Sequence, residues 1–459
     1  MEKSFLRTLL SRELNGLTVR KMPYNNSVTS MSEIGALEIE QTVEETPPLA
    51  ISFSRIQDNR NANVLALADE AGYVSLLSTP ITPVSSKKTN GDRIDILKLS
   101  EWSAHQNAIF DLCWIKDDRS LLTSSGDQTI KVWDTQVKKC TAVLTGHTGS
   151  VKSLSPHPKS SDILLSGSRD GSFALWDLRC NNTSSSHCGE QIIGTTSMVQ
   201  KAHQSPYSKR SRRGKGSSMS ITSVLYLKDE ISVATACAVD SVVKFWDTRH
   251  LKTHINEASP YTSYSNERRL HGISSLSQDA SGMLLTAACT DSKIYLYNIL
   301  ALGNGPTRCF SGGRIDSFYV KSAISPNAEH IVSGSSDGNV CVWDVSSSDK
   351  CAIVNGGHSG EVTSVDWCPY DSGKVASCSD DCTVKIWNTE THWSCGKRRR
   401  GNCEDMAASP RSGHSPPMVA LTTPNSKGST IVDPERSPSS VLNPPSSLKR
   451  KTIPDYFLQ

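Results

Sequence analysis

The chain has 459 residues, 36% hydrophobic and 21% charged, with a formal net charge of +3. That length holds one large domain or about three ordinary ones, and so small a net charge excludes a molecule that binds nucleic acid or membrane through its overall field. No apolar run approaches the roughly 18 residues of a membrane span, which argues against a helical membrane protein.

The N-terminal segment, 1–45, opens with MEKSFLRTLLSRELNGL, which lacks a long apolar core and a small-residue cleavage site. A soluble intracellular protein is therefore expected. Within the segment, GALEIEQTV, Gly35 to Val43, alternates apolar and polar residues as a half-buried strand does.

From Val64 onward one pattern recurs. Its regular copies are LLTSSGDQTIKVWDT from Leu121, LLSGSRDGSFALWDL from Leu164, VATACAVDSVVKFWDT from Val233, LLTAACTDSKIYLYNI from Leu284, IVSGSSDGNVCVWDV from Ile331 and VASCSDDCTVKIWNT from Val375. Each has an apolar strand, a tight turn carrying Asp, and a second strand ending in Trp or Tyr, which predicts a β-hairpin with one buried face. The Asp stands six residues before the aromatic, as in Asp127 and Trp133, Asp170 and Trp176, and Asp381 and Trp387. Trp133 and Trp176 are 43 residues apart, a period of four-stranded propeller blades.

VLALADEAGYVSLLST from Val64 is a degenerate copy, with Ala71 at the Asp position and Leu77 at the Trp position. Counting it gives seven blades, and closure of the ring leaves only short strand edges. The fold expected is all-β, a seven-bladed β-propeller over 46–395, with its last outer strand supplied by Gly35 to Val43.

Trp176 and Trp246 are 70 residues apart, so an insertion is expected there. AHQSPYSKRSRRGKGSSMS, Ala202 to Ser220, is polar, basic and rich in Gly and Ser, as a loop would be. His203, at the start of that stretch, still fits the blade frame as its upstream His. After residue 395 the chain becomes rich in Ser and Pro, and 396–459 reads as a disordered tail. The basic runs Lys209 to Arg213 and Lys397 to Arg400 read as import signals, giving a nuclear protein.

The 14 cysteines include no CxxC pair, so no metal site and no cofactor are expected. No phosphate-cradling glycine loop, HExxH or nucleophile elbow is present either, and no catalytic residue is assigned.

Three copies carry an upstream His, in SAHQNAIFDLCW (His105), TGHTGSVKSL (His147) and GGHSGEVTSVDW (His358), and with these the repeats resemble the WD-repeat family. The resemblance implies a structural hydrogen-bonded set in regular blades, His105 with Asp127, His147 with Asp170, and His358 with Asp381. Two consecutive blades add an arginine, WDLR with Trp176, Asp177 and Arg179, and WDTR with Trp246, Asp247 and Arg249. They look like the WDxR box of substrate receptors of cullin-4 ubiquitin ligases, in which the arginine helps dock the receptor on a multi-propeller adaptor.

In order along about residues 50 to 390, EWSAHQNAIFDLCW, DGSFALWDLRCN, AVDSVVKFWDTR, CTDSKIYLYN, FYVKSAISP and CSDDCTVKIW are together similar to denticleless proteins. That resemblance implies a non-catalytic receptor that recruits substrates bound to the sliding clamp, with clamp-binding degrons, for ubiquitylation and degradation in DNA replication, repair and cell-cycle control. It also makes the N-terminal segment a candidate adaptor contact and the top-face loops the candidate substrate site. The C-terminal RKTIPDYFLQ resembles a clamp-binding peptide, with Ile453, Tyr456 and Phe457 as its apolar plug and Arg450 where that motif has Gln. The rival reading is a WD-repeat scaffold of a nuclear chromatin or RNA-processing complex. Direct nucleic-acid binding is less favoured, because the basic runs lack interleaved aromatics.

Overall fold

A computed structural model describes residues 28–38, 46–55, 62–80, 96–180, 191–203, 219–260, 271–346, 351–354, 357–371 and 373–391. The basic runs and the peptide containing Ile453, Tyr456 and Phe457 lie outside them.

The described residues form a seven-bladed β-propeller. Strand β1 (Val28–Glu38) precedes blade one, which is β2 (Pro48–Phe53), β3 (Ala62–Asp69), β4 (Tyr73–Pro80) and β5 (Leu97–Ser103). Blade two is β6 (Ile109–Ile115), β7 (Ser120–Ser125), β8 (Ile130–Asp134) and β9 (Lys139–Thr145). Blade three is β10 (Val151–Pro156), β11 (Ile163–Ser168) and β12 (Phe173–Asp177), then β13 (Gln191–Gly194) intervenes before its outer strand, β14 (Ser197–Val199). Blade four is β15 (Ile221–Tyr226), β16 (Ser232–Cys237), β17 (Val243–Asp247) and β18 (Asn256–Ala258). Blade five is β19 (Ile273–Gln278), β20 (Leu284–Cys289), β21 (Lys293–Asn298) and β22 (Arg308–Ser311). Blade six is β23 (Ser322–Ile324), β24 (His330–Gly334), β25 (Val340–Asp344) and β26 (Cys351–Val354). Blade seven is β27 (Val362–Trp367), β28 (Lys374–Ser379) and β29 (Thr383–Thr391), with β1 as its outer strand.

The hairpins share one register. The first strand of each places an aliphatic residue opposite the aromatic, as in Leu121 and Trp133, Leu164 and Trp176, Val233 and Trp246, and Val375 and Trp387. The degenerate copy keeps it, with Leu65 opposite Leu77. Leucine fills the tryptophan position there, and both side chains are buried in the core shared by blades one and seven.

The ring closes through β1, which pairs antiparallel with β29 from Val28 opposite Thr391 to Glu38 opposite Thr383. The strand thus starts before Gly35, where the sequence placed it, and residues 39–45 lie outside the described set. Ile34 and Leu37 pack against the core of blades one and seven, so the closure buries apolar surface as well as pairing an edge.

The interval between Trp176 and Trp246 is also divided differently from expectation. Part of it is β13, which returns to blade two and pairs parallel with β9, Gln191 opposite Ala142, making that sheet five-stranded. The basic run Lys209 to Arg213 falls within 204–218, outside the described residues.

Inner strands of neighbouring blades are too far apart for a continuous ladder, and their N–H groups need other acceptors. Side chains supply them. Asp111 Oδ2 accepts from Leu154 N at 2.8 Å, Ser153 Oγ from Val224 N at 3.1 Å, Ser223 Oγ from Leu276 N at 3.0 Å, and Ser275 Oγ from Ser322 N at 2.9 Å. Asp366 Oδ2 closes the series by accepting from Phe53 N at 2.8 Å. Burial pushes the Asp366 carboxyl up to about 6 despite its donors Phe53 and Trp367. The serines of these strands are therefore structural acceptors between blades.

Candidate adaptor-facing surface and the blade sets

Blades two, three, four and seven each hold a buried polar set linking turn to core. In blade three Trp176 Nε1 donates to Ser166 Oγ at 2.8 Å, Ser166 Oγ lies 2.8 Å from His147 Nε2, and His147 Nδ1 lies 3.2 Å from Asp170. Blade two repeats this with Trp133, Thr123, His105 and Asp127, and blade seven with Trp387, Ser377, His358 and Asp381. The hydroxyl thus accepts from the indole N–H and bonds the imidazole with its remaining capacity. Each imidazole is therefore held between a hydroxyl at Nε2 and a carboxylate at Nδ1. Ser166, Thr123 and Ser377 were not singled out from sequence, since a hydroxyl in a strand carries no distinctive spacing.

Burial lowers His105 and His358 against the opposing pull of their aspartates. Burial alone would raise Asp127 and Asp381, but hydrogen bonds and the facing histidines outweigh it and hold both at about 2. A depressed carboxyl contributes stability that is present above its unfolded value near 3.8 and lost as pH falls through the folded value. We therefore expect the melting temperature to fall most steeply between about pH 4 and 2. From about pH 6.5 to 4 the dependence should be shallower, because protonation of the histidines in the unfolded chain is opposed by protonation of Asp366 in the fold. Melts followed by circular dichroism across this range check it, and a flat profile below pH 4 contradicts it.

His203, Cys237 and Asp240 lie within 4.8 Å of one another, a grouping able to hold a metal. Their bonding is that of a blade set. His203 Nδ1 contacts Asp240 at 3.0 Å, its Nε2 contacts Thr235 Oγ1 at 2.9 Å, and Trp246 Nε1 donates to the same oxygen. Both imidazole nitrogens are thus engaged, and burial pushes the Cys237 thiol up to about 12.

The WDxR boxes follow the third strands of blades three and four, β12 and β17. Asp177 Oδ1 accepts from the backbone N of Arg179 at 3.0 Å and from its Nε at 2.9 Å, while Oδ2 accepts from Nη2 at 2.7 Å. Asp247 and Arg249 repeat this at 2.9, 3.0 and 2.7 Å. The aspartate turn itself is general: Asp134 accepts from Gln136 N and Asp344 from Ser346 N in the same way. Among the described residues, only blades three and four lay a guanidinium fork on it. These forks hold Asp177 and Asp247 below the usual carboxylate range.

The arginine side chains remain 62% and 60% exposed. Both boxes occupy the face where first and third strands end, because strands alternate direction in each blade. On that face the turn after β10 bridges to blade four, with His157 Nε2 3.2 Å from Glu230 O and its ring edge-on to Tyr226 at 4.6 Å. Two preoriented cations are thereby presented side by side on adjacent blades.

Residues 97–134, 138–177, 307–344 and 349–388 match the WD domain, G-beta repeat family. Each match takes in the outer strand of one blade and ends in the third strand of the next, the same interlock that lets β1 complete blade seven. The chain is 37% identical over 374 residues to the denticleless protein homolog of Homo sapiens, covering 79% of this chain and 48% of that protein. Identity to the denticleless protein homolog of Gallus gallus is 37% over 356 residues, 75% of this chain and 48% of the relative. The chain thus spans about half the length of these relatives. With the cell division cycle protein cdt2 of Schizosaccharomyces pombe it shares 30% identity over 425 residues, 87% of this chain and 82% of that one. By repeats, ring and near full-length likeness to the yeast protein, the chain belongs to the denticleless and cdt2 family of WD-repeat proteins.

Proposed function

We propose that this chain is the non-catalytic substrate-recognition subunit of a cullin-4 ubiquitin ligase, acting in the nucleus. It docks on the ligase's multi-propeller adaptor through the face carrying Arg179 and Arg249, and recruits proteins bound to the sliding clamp for ubiquitylation. The observation that carries this reading is the pair of boxes, each with an aspartate-forked, solvent-presented arginine, in adjacent blades. Capture of the tagged full chain from nuclear extract tests it. Adaptor and clamp recovered together are expected, whereas recovery of histones without the adaptor would indicate a chromatin scaffold instead.

The terminal RKTIPDYFLQ supplies the clamp contact in this reading. Ile453, Tyr456 and Phe457 are three and four residues apart, so one helical turn brings them to a single face, and Pro454 suits the first turn of such a segment. A peptide of residues Ser446 to Gln459 is expected to bind the clamp with micromolar affinity, on the order of −8 kcal/mol. Tyr456→Ala with Phe457→Ala should weaken it at least about tenfold, roughly 1.4 kcal/mol. Equal affinity of the two peptides in a calorimetric titration would remove the tail from the clamp contact.

A further inference from the structure

On the face opposite the boxes, first strands begin and second strands end. On that face lies a cavity of about 410 Å³ lined by residues of six blades. One side of it is cationic and aromatic. Lys152 places Nζ 3.1 Å from the centre of the Phe110 ring and 5.1 Å from that of Tyr319, and these two rings stack at 6.1 Å. Lys321 reaches into the same space, but its charge is matched, with Nζ 2.8 Å from Asp111 Oδ1 and 3.1 Å from Phe110 O.

Lys152 and Arg169 have no such match. Among the described residues no carboxylate lies within 4.0 Å of either, although Lys152 is half-buried and Arg169 is exposed beside it. An ammonium held on ring faces recovers part of its hydration through the ring quadrupoles but leaves its charge uncompensated. Burial, then Arg169 and Lys321, pulls Lys152 down to about 8. An incoming carboxylate would offset all three effects.

Two further features narrow the ligand. Phe318 and Tyr319 at the rim are 40% and 43% exposed, offering apolar area beside the cations. The opposite part of the same face, on blades seven and one, is acidic: burial, then Glu361 and Glu70, raise Asp380. An extended polyanion such as a nucleic acid would meet repulsion there, whereas a ligand with one localised negative group would not.

We propose that this mouth docks an acidic peptide segment of a protein partner, with a Glu or Asp carboxylate between Lys152 and Arg169 and a neighbouring apolar side chain on Phe318 and Tyr319. The proposal rests on the receptor reading for the partner's role, since it assigns the substrate side of the ring. Its physical basis is independent of the adaptor.

The test uses purified full chain and a labelled peptide containing Asp-Phe-Glu-Leu, alongside its Asn-Phe-Gln-Leu counterpart. The acidic peptide should bind at least about tenfold more tightly than the amide one, and Lys152→Met with Arg169→Gln should remove that preference. Lys152→Arg should retain it, and Arg179→Ala with Arg249→Ala should leave it unchanged, which separates failure here from failure of adaptor docking. Equal binding of the two peptides, no binding at about 1 mM, or an acid preference that survives loss of both cations overturns the proposal. Displacement by equimolar inorganic phosphate would mark a small-anion site and also overturn it, as would displacement by a single-stranded oligonucleotide.

Discussion

Trp176→Ala is expected to destabilise the propeller by about 3–5 kcal/mol, the usual range for removing a buried large aromatic. Trp176 is 1% exposed and packs in the core joining blades two and three, among Leu164, Ala174 and Ile193. Its removal leaves a cavity where neighbouring backbone is held by sheet pairing on both sides, so collapse is limited. It also strips Ser166 Oγ of its indole donor, in a set where the hydroxyl, His147 and Asp170 bond one another in series. Both effects act in the same direction. Denaturant unfolding of the parent and variant measures the difference, and coincident curves would contradict the place given to the aromatic.

The second large effect is on binding. Arg179→Ala with Arg249→Ala is expected to weaken adaptor binding on the order of a hundredfold or more, as loss of central charged anchors does. The fold should be spared. Each arginine is mostly exposed and forks onto the aspartate of its own turn, and exposed ion pairs of this kind add little to stability. The aspartate turns persist without them, as Asp134 and Asp344 show in blades two and six. An unchanged melt with lost co-purification is the expected pair of results. Retained co-purification would remove the boxes from the docking surface.

The repeat was legible because its two signals are local. A strand, a turn aspartate and an aromatic six residues on fall within a single hairpin, and even the degenerate copy with Leu65 opposite Leu77 keeps the register. Closure by β1 was legible only in part. Its partner is β29, at the far end of the chain, and register shifts lie between Val28 and Ser30 and between Glu33 and Gly35. Each shift changes which side chains face the core, so simple alternation begins only at Gly35. The parallel strand β13 has four residues and no hairpin partner, hence no pattern of its own.

The site was legible to a similar extent. WDLR and WDTR mark Arg179 and Arg249 by spacing, whereas the fork onto Asp177 and Asp247 is a matter of turn geometry. Lys152, Arg169, Phe110 and Tyr319 come from three different blades and meet only once the ring is closed. No linear pattern could have joined them.

The central claim, that this chain is a ligase receptor, is tested most directly by titrating the purified full chain into the purified cullin-4 adaptor by calorimetry. A saturable one-to-one complex is predicted, with binding lost in the Arg179→Ala, Arg249→Ala variant although that variant melts like the parent. Absence of heat and of a co-eluting complex at about 10 μM of each protein, where even a micromolar affinity would show, would contradict it.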